Sequence, residues 1–286
     1  MSDPVADLIE AEGLPESYRE VVEQHWEPLA TRMARLPASR APLVIGINGA
    51  QGSGRSTLCK FLEVLLARRQ IRAVTLSLDD LYLTRAERLQ LAEEVHPLFA
   101  TRGVPGTHAV AMGLGIIEDM LAGRALDLPR FDKATDDRAA EGTRITGPVD
   151  VLLLEGWCVG AKPQDAAALA EPINSLEREE DPDGIWRSLV NHWLSEDYAR
   201  LFDQIDLLVM LKVANFDAVR RNRALQEQKL RAANPDAPNV MDEAALERFL
   251  AHYERLTRHM LAEMPDRADV VIEIGPDQNP LPPAKD

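Results

Sequence analysis

The stretch GINGAQGSGRST, Gly46 to Thr57, joins an apolar run to an amphipathic one. Ahead of it, PLVIGI (42–47) is rich in branched apolar residues without strict alternation, the pattern of a strand buried on both faces. Behind it, Leu58, Phe61, Leu62, Leu65 and Leu66 recur at helical spacing. Between the two, Gly49, Gly52 and Gly54 free the backbone to turn its N–H groups inward. A strand, a glycine-rich turn and a helix in that order form an anion cradle, because the turn's amides and the positive helix end face one point.

The residues Gly49-Ala50-Gln51-Gly52-Ser53-Gly54-Arg55-Ser56, followed by Thr57, fit the phosphate-binding pattern G-x-x-x-x-G-K-[ST] except that arginine stands for lysine. In that pattern Ser56 offers its hydroxyl to Mg²⁺, and residue 55 brings a cation to the transferred phosphate. Arg55 keeps the charge, but its planar fork is bulkier than an ammonium, and the two do not interchange at a tight phosphate site.

Four more apolar runs follow: AVTLSL (73–78), VDVLLLE (149–155), DLLVMLK (206–212) and DVVIEI (269–274). With helical patterns between several of them, they predict an α/β fold around a mostly parallel sheet of about five strands. Residues 1–40 read as a helical extension, with Tyr18, Val21, Val22, Trp26 and Leu29 on one face and LPASRAP linking it to the first strand. Residues 80–148 form an insertion far longer than a crossover helix needs, placed to shape the acceptor site, and 161–200 form a second insertion whose charge run EREEDPDG reads as a solvated turn. Residues 276–286 read as a mobile, proline-rich tail.

The chain has 286 residues and a formal net charge of −15, which argues against a general nucleic-acid surface. Cys59 and Cys158 are far apart and give no metal-ligand spacing. The start is acidic and lacks an apolar signal core, and no apolar run approaches the ~18 residues of a membrane helix. A cytoplasmic monomer without membrane or nucleic-acid partners is the expectation.

Asp79 and Asp80 end the second run and Glu155 the third, on the sheet edge where ligands bind in such folds. A carboxylate there can take the proton of an acceptor alcohol, and another can hold Mg²⁺ or its water. His192, His252 and His259 lie on helical patterns that suit packing or surface roles, and His96, within the first insertion, is a weaker candidate for the acceptor region. Packing is the expected role of Cys158, beside Trp157.

The ordered set GINGAQGSGRSTL, SLDDLYLT, RGVPGTH, RFDKATDDR and LLLEGWCVG resembles the D-glycerate 3-kinase-like family of P-loop kinases, relatives of uridine kinase and phosphoribulokinase. The likeness runs on through PINSLE, GIWRSLVN and FDAVRRNRALQEQKL, and so covers nearly everything after residue 40. It implies a three-layer P-loop kinase domain over 41–275, with a lid over 216–235. It implies ATP- and Mg²⁺-dependent phosphorylation of a small hydroxy acid, D-glycerate giving 3-phosphoglycerate. By that resemblance Asp79 is the general base and Glu155 with Ser56 the metal side. Asp80, Tyr82, Arg102, Thr107, His108 and Lys133 line the acceptor, and Arg220, Arg221 and Arg223 belong to the lid. Four positions depart from the family pattern: Arg55 for lysine, Leu81 for an aromatic, Ala109 for aspartate and Asn222 for tryptophan. They leave open a weakened or inactive kinase-fold protein that binds nucleotide or metabolite.

Overall fold

The computed structural model describes residues 3–36, 42–233 and 241–282. Nine strands occur among them: β1 (Leu43–Gly49), β2 (Ala73–Ser77), β3 (Leu126–Leu128), β4 (Phe131–Asp132), β5 (Asp137–Arg138), β6 (Thr143–Ile145), β7 (Val151–Gly156), β8 (Leu207–Val213) and β9 (Val270–Ile274). The helices are α1 (Pro4–Ala11), α2 (Tyr18–Val21), α3 (Glu27–Ala34), α4 (Arg55–Ala67), α5 (Arg85–Glu94), α6 (Val110–Leu121), α7 (Ser175–Glu180), α8 (Ile185–Ser195), α9 (Asp197–Phe202), α10 (Phe216–Ala233) and α11 (Glu243–Glu263).

All five apolar runs are strands of one parallel sheet, in the order β2-β7-β1-β8-β9. Their lack of alternation has a direct cause: both faces are covered. Ile45, Ile47, Leu153 and Val209 pack with α4 and the N-terminal helices, whereas Val44, Leu152, Leu154 and Met210 pack with α6, α9 and α11. The result is a three-layer α/β sandwich. Ile47 is level with Glu155, and Glu155 with Ser77, so the carboxyl ends of β1, β7 and β2 share one edge. On that edge the phosphate loop, Glu155 and Asp79 come together.

Tyr18 to Ala34 form a continuous helical stretch, α2 and α3 joined by a π turn at Val22–Trp26. Tyr18, Val22, Trp26 and Leu29 are buried, and the Tyr18 ring lies 5.4 Å from that of Phe61 in α4. Residues 37–41 of the LPASRAP segment lie outside the described residues, as do 234–235 of the lid region and 283–286 of the tail. Before that point the tail turns back on β9, with Gly275 N–H donating to Asn279 O and Leu281 N–H to Glu273 O. Residues 80–148 build α5, α6 and two short ribbons, β3 with β6 and β4 with β5.

Candidate active site

The phosphate loop runs from Ala50 to Gly54 between β1 and α4. Gly54 caps α4 at φ +88° and Gly52 has φ +75°, both in the left-handed region that favours glycine. A Cβ at Gly52 would also lie 2.8 Å from Asn222 Cβ, because Asn222 rests on the loop. Its Nδ2 donates to Gly52 O at 3.4 Å. The first N–H groups of α4, at Arg55, Ser56 and Thr57, have no intrahelical acceptor. Inside the loop, Ser53 Oγ and Gln51 Oε1 are buried without a partner. Free donors at a helix N-terminus beside orphaned polar atoms suit an anion with several oxygens.

Arg55 is almost buried and is held inside the cradle. Its Nε donates to Glu155 Oε2 at 2.9 Å, and a second guanidinium nitrogen donates to Gly49 O. Burial disfavours its charge, but Glu155 and Asp79 outweigh that, so its pKa is raised and it stays cationic. Ser56 Oγ donates to the other Glu155 oxygen at 3.2 Å.

Asp79 sits in the helical turn Leu78–Leu81 that follows β2. Its Oδ2 accepts from Lys133 Nζ at 2.6 Å and its Oδ1 from the Tyr82 hydroxyl at 3.0 Å. Burial pushes the carboxyl up, but Lys133 and Arg55 override it and bring the pKa to about 2. Asp79 is therefore ionised at any working pH. Burial and Asp79 raise the Tyr82 pKa, so the phenol stays a neutral donor. The Tyr82 ring stacks on His108 at 4.5 Å and meets Phe131 edge-on at 5.1 Å. His108 is neutral, its pKa lowered to about 3 by burial. Its Nδ1 lies 2.5 Å from the Tyr198 hydroxyl, which also accepts from Gly106 N–H at 3.0 Å.

Other sequence candidates have partners that give them architectural work. Asp80 accepts from Arg130 at 2.8 Å and from Phe131 N–H at 3.0 Å, tying β4 to the end of β2. Thr107 is fully buried, donating to Val104 O at 2.7 Å and accepting from Gly103 N–H at 3.0 Å. Arg102 pairs with Asp136 and lies over the Phe131 ring at 5.5 Å. In α10, Arg223 is paired with Glu227 and Gln226, and Arg220 with Asp217, Glu247 and Glu254. Arg221 is exposed.

The four departures have separate settings. Leu81 is fully buried against Gly113 of α6, so it is a core contact. Asn222 and Arg55 touch the phosphate loop. Ala109 is the N-cap of α6 and supplies no side-chain acceptor. An aspartate there would accept a free amide and meet the positive helix end. Ala109→Asp is expected to stabilise the protein by about 1 kcal/mol in denaturant unfolding; no gain would show that the cap geometry is not reached.

Two site residues gave no local sequence signal. Tyr253 of α11 donates to Arg102 O at 3.0 Å and lies edge-on to Trp157 at 4.9 Å. Tyr198 orients His108. The one available hint was Gly103, whose φ of +138° and absent Cβ admit the Tyr253 hydroxyl. The remaining histidines and the two cysteines have packing or surface positions. His252 is buried with Nδ1 2.9 Å from Arg248 O, and His96 accepts from Leu98 N–H. His192 is exposed and His259 half-buried. Burial raises both thiol pKa values, at Cys59 and Cys158, which removes them as nucleophiles. Among the described residues no group of three or more His, Cys, Asp or Glu could hold a metal, and no helix is long and apolar enough to cross a membrane.

No protein-family model matches the chain. An uncharacterized kinase of Schizosaccharomyces pombe, mug58, is 35% identical over 225 residues, covering 74% of this chain and 78% of that protein. The chloroplastic D-glycerate 3-kinase of Arabidopsis thaliana is 28% identical over 259 residues, and the matched region spans only 54% of its length. The solved D-glycerate 3-kinase of Cryptococcus neoformans superposes with a TM-score of 0.73 at 23% identity, covering 93% of this chain and 98% of that one. That likeness speaks to the fold.

Proposed function

The chain belongs to the D-glycerate 3-kinase-like family of P-loop kinases, and from that premise we propose that it transfers the γ-phosphoryl group of ATP to a small hydroxy acid, D-glycerate, giving 3-phosphoglycerate. The observation that carries this reading is an ionised, partly buried Asp79 on the same sheet edge as a phosphate cradle with free amide donors. In the proposed reaction the acceptor hydroxyl attacks the γ-phosphorus and its proton passes to Asp79. The bond to the bridging oxygen breaks, and its electrons leave with ADP. Lys133 must release Asp79 for the hydroxyl to enter. Tyr82 holds the other carboxylate oxygen and so aims Asp79. Arg55 and the α4 amides offset charge on the phosphate oxygens.

Ser56 Oγ and Glu155 Oε1 are hard oxygen donors beside the cradle, and their chemistry fits residues that would hold Mg²⁺. Bound there, Mg²⁺ would neutralise phosphate charge. Arg220, Arg221 and Arg223 are proposed to close over the nucleotide from α10. The proposed setting is the cytoplasm, which the two free cysteines suit.

The test is purified protein with ATP, Mg²⁺ and a panel of sugar and hydroxy acids. Acceptor-dependent ADP and 3-phosphoglycerate are expected with D-glycerate. No ADP above background with any acceptor would sink the reading. A second reading, a weakened kinase that retains ligand binding, is favoured by one observation: Arg55 spends two donors on Gly49 O and Glu155. Nucleotide binding without acceptor turnover would select it.

A further inference from the structure

The segment from β4 to β5 crosses the acceptor side and is fastened at both ends by carboxylate–cation pairs. Lys133, on one side, is bonded to Asp79. Asp136, on the other, is paired with Arg102 and with Arg88. Asp136 has φ +56°, a left-handed conformation that a non-glycine residue adopts rarely, though Asp and Asn accept it more readily than most.

The two arginines differ in what they need from Asp136. Arg88 is buried and, besides the Asp136 carboxylate, donates to Leu83 O, Ala100 O and the backbone O of Asp136, so three carbonyls hold it in place whatever the carboxylate does. Arg102 has the Asp136 carboxylate as its hydrogen-bonding partner and the Phe131 face beneath it. Phe131 meets Tyr82, and Tyr82 bonds Asp79. One aromatic floor thus runs from the Arg102 guanidinium to the proposed base.

We propose that Asp136 is a stand-in for the acceptor's carboxylate, and that an incoming hydroxy acid displaces it from Arg102 while its hydroxyl displaces Lys133 from Asp79. The inference rests on the hydroxy-acid reading above and deepens it. It makes a carboxylate near the reacting hydroxyl an obligatory feature of the acceptor, and it makes Asp136 the residue that sets acceptor affinity. Arg102 is suited to the exchange because a guanidinium fork accepts either carboxylate with the same geometry.

The test is calorimetric titration of D-glycerate, and of glycerol as the analogue lacking a carboxylate, into wild type, Asp136→Asn, Arg102→Gln and the double variant. Asparagine tolerates the left-handed backbone, keeps a side-chain oxygen as acceptor, and removes the charge that competes for Arg102 and that also pairs with Arg88. Asp136→Asn is expected to tighten D-glycerate binding by about tenfold, the competent fraction no longer being taxed by the internal pair. The gain should be absent for glycerol and should vanish in the double variant. That cycle keeps the result readable even if the substitution loosens the segment. Unchanged or weaker D-glycerate binding in Asp136→Asn overturns the inference, and so does a gain that persists without Arg102. A parallel turnover assay separates the two claims. Product formation with affinity indifferent to position 136 leaves the kinase reading and removes this one. The tenfold gain without any product leaves this one and removes the D-glycerate kinase reading. No binding in any variant removes both.

Discussion

Asp79→Asn is expected to cut acceptor-dependent turnover by about 10²- to 10⁴-fold, the range for a positioned general base. The substitution keeps an oxygen for the Tyr82 hydroxyl, 3.0 Å away, and the shape of the turn after β2. It removes the group proposed to take the proton and the charge that holds Lys133. Nucleotide affinity should change little, because the loop amides and Arg55 do not depend on position 79 for their place. Turnover within a few-fold of wild type would take the base role away from Asp79.

The same residue sets an expectation for pH. The acid limb of kcat/KM reports the free protein, in which Lys133 and Arg55 hold Asp79 at about 2. Protonation of Asp79 therefore costs activity only as the pH falls towards that value, well below the ordinary carboxylate range. The limb of kcat reports the complex, where on the proposed mechanism the acceptor replaces Lys133 and one stabilising charge is gone. It should lie higher, moving back towards the unperturbed 3.8. Limbs that coincide would mean that Lys133 keeps its pair with Asp79 while the acceptor is bound.

How far the sequence could be read depends on which contacts are local. The five strands were legible because a sheet covered on both faces selects runs of Val, Ile and Leu, and the runs at Leu43, Ala73, Val151, Leu207 and Val270 carry that mark. The phosphate loop was legible through the glycines and helix after β1, which answer to backbone geometry, and the three layers through the family resemblance. The acceptor side was less so. Asp80 and Asp79 are neighbours in SLDDLYLT with the same side chain, yet one bonds β4 and the other faces Lys133 and Tyr82. Only the packing of β4 on the end of β2 separates them. Tyr198, Asp136 and Tyr253 act across 90, 34 and 151 residues on His108, Arg102 and Arg102, distances at which no spacing pattern operates. The departures show the same limit. A sequence comparison ranks Leu81 and Arg55 alike, but one packs on α6 and the other lies in the cradle.

Arg55→Ala is expected to lower kcat/KM for ATP by about 10²- to 10³-fold, the loss usual for one preorganised donor at a developing charge. Arg55→Lys is the more informative change. The surroundings are shaped for a fork: Nε reaches Glu155 while a terminal nitrogen reaches Gly49 O, and Ser56 completes the bonding of Glu155. An ammonium is a single point and cannot span both acceptors as a planar group does. It would leave either the carbonyl at the end of β1 or the nearly buried Glu155 carboxylate short of a donor, and a buried acceptor without its partner is costly. Arg55→Lys should therefore reduce kcat/KM for ATP by roughly tenfold, a milder loss than alanine because the charge is kept. Steady-state kinetics with varied ATP at saturating acceptor would measure it, with calorimetry of nucleotide binding beside it. A rise in turnover would mean that arginine obstructs a site otherwise built for lysine, and would favour the weakened-kinase reading. A fall means that Glu155, Ser56 and Gly49 O form a cradle matched to arginine, in which the unusual residue is part of the phosphate site's design.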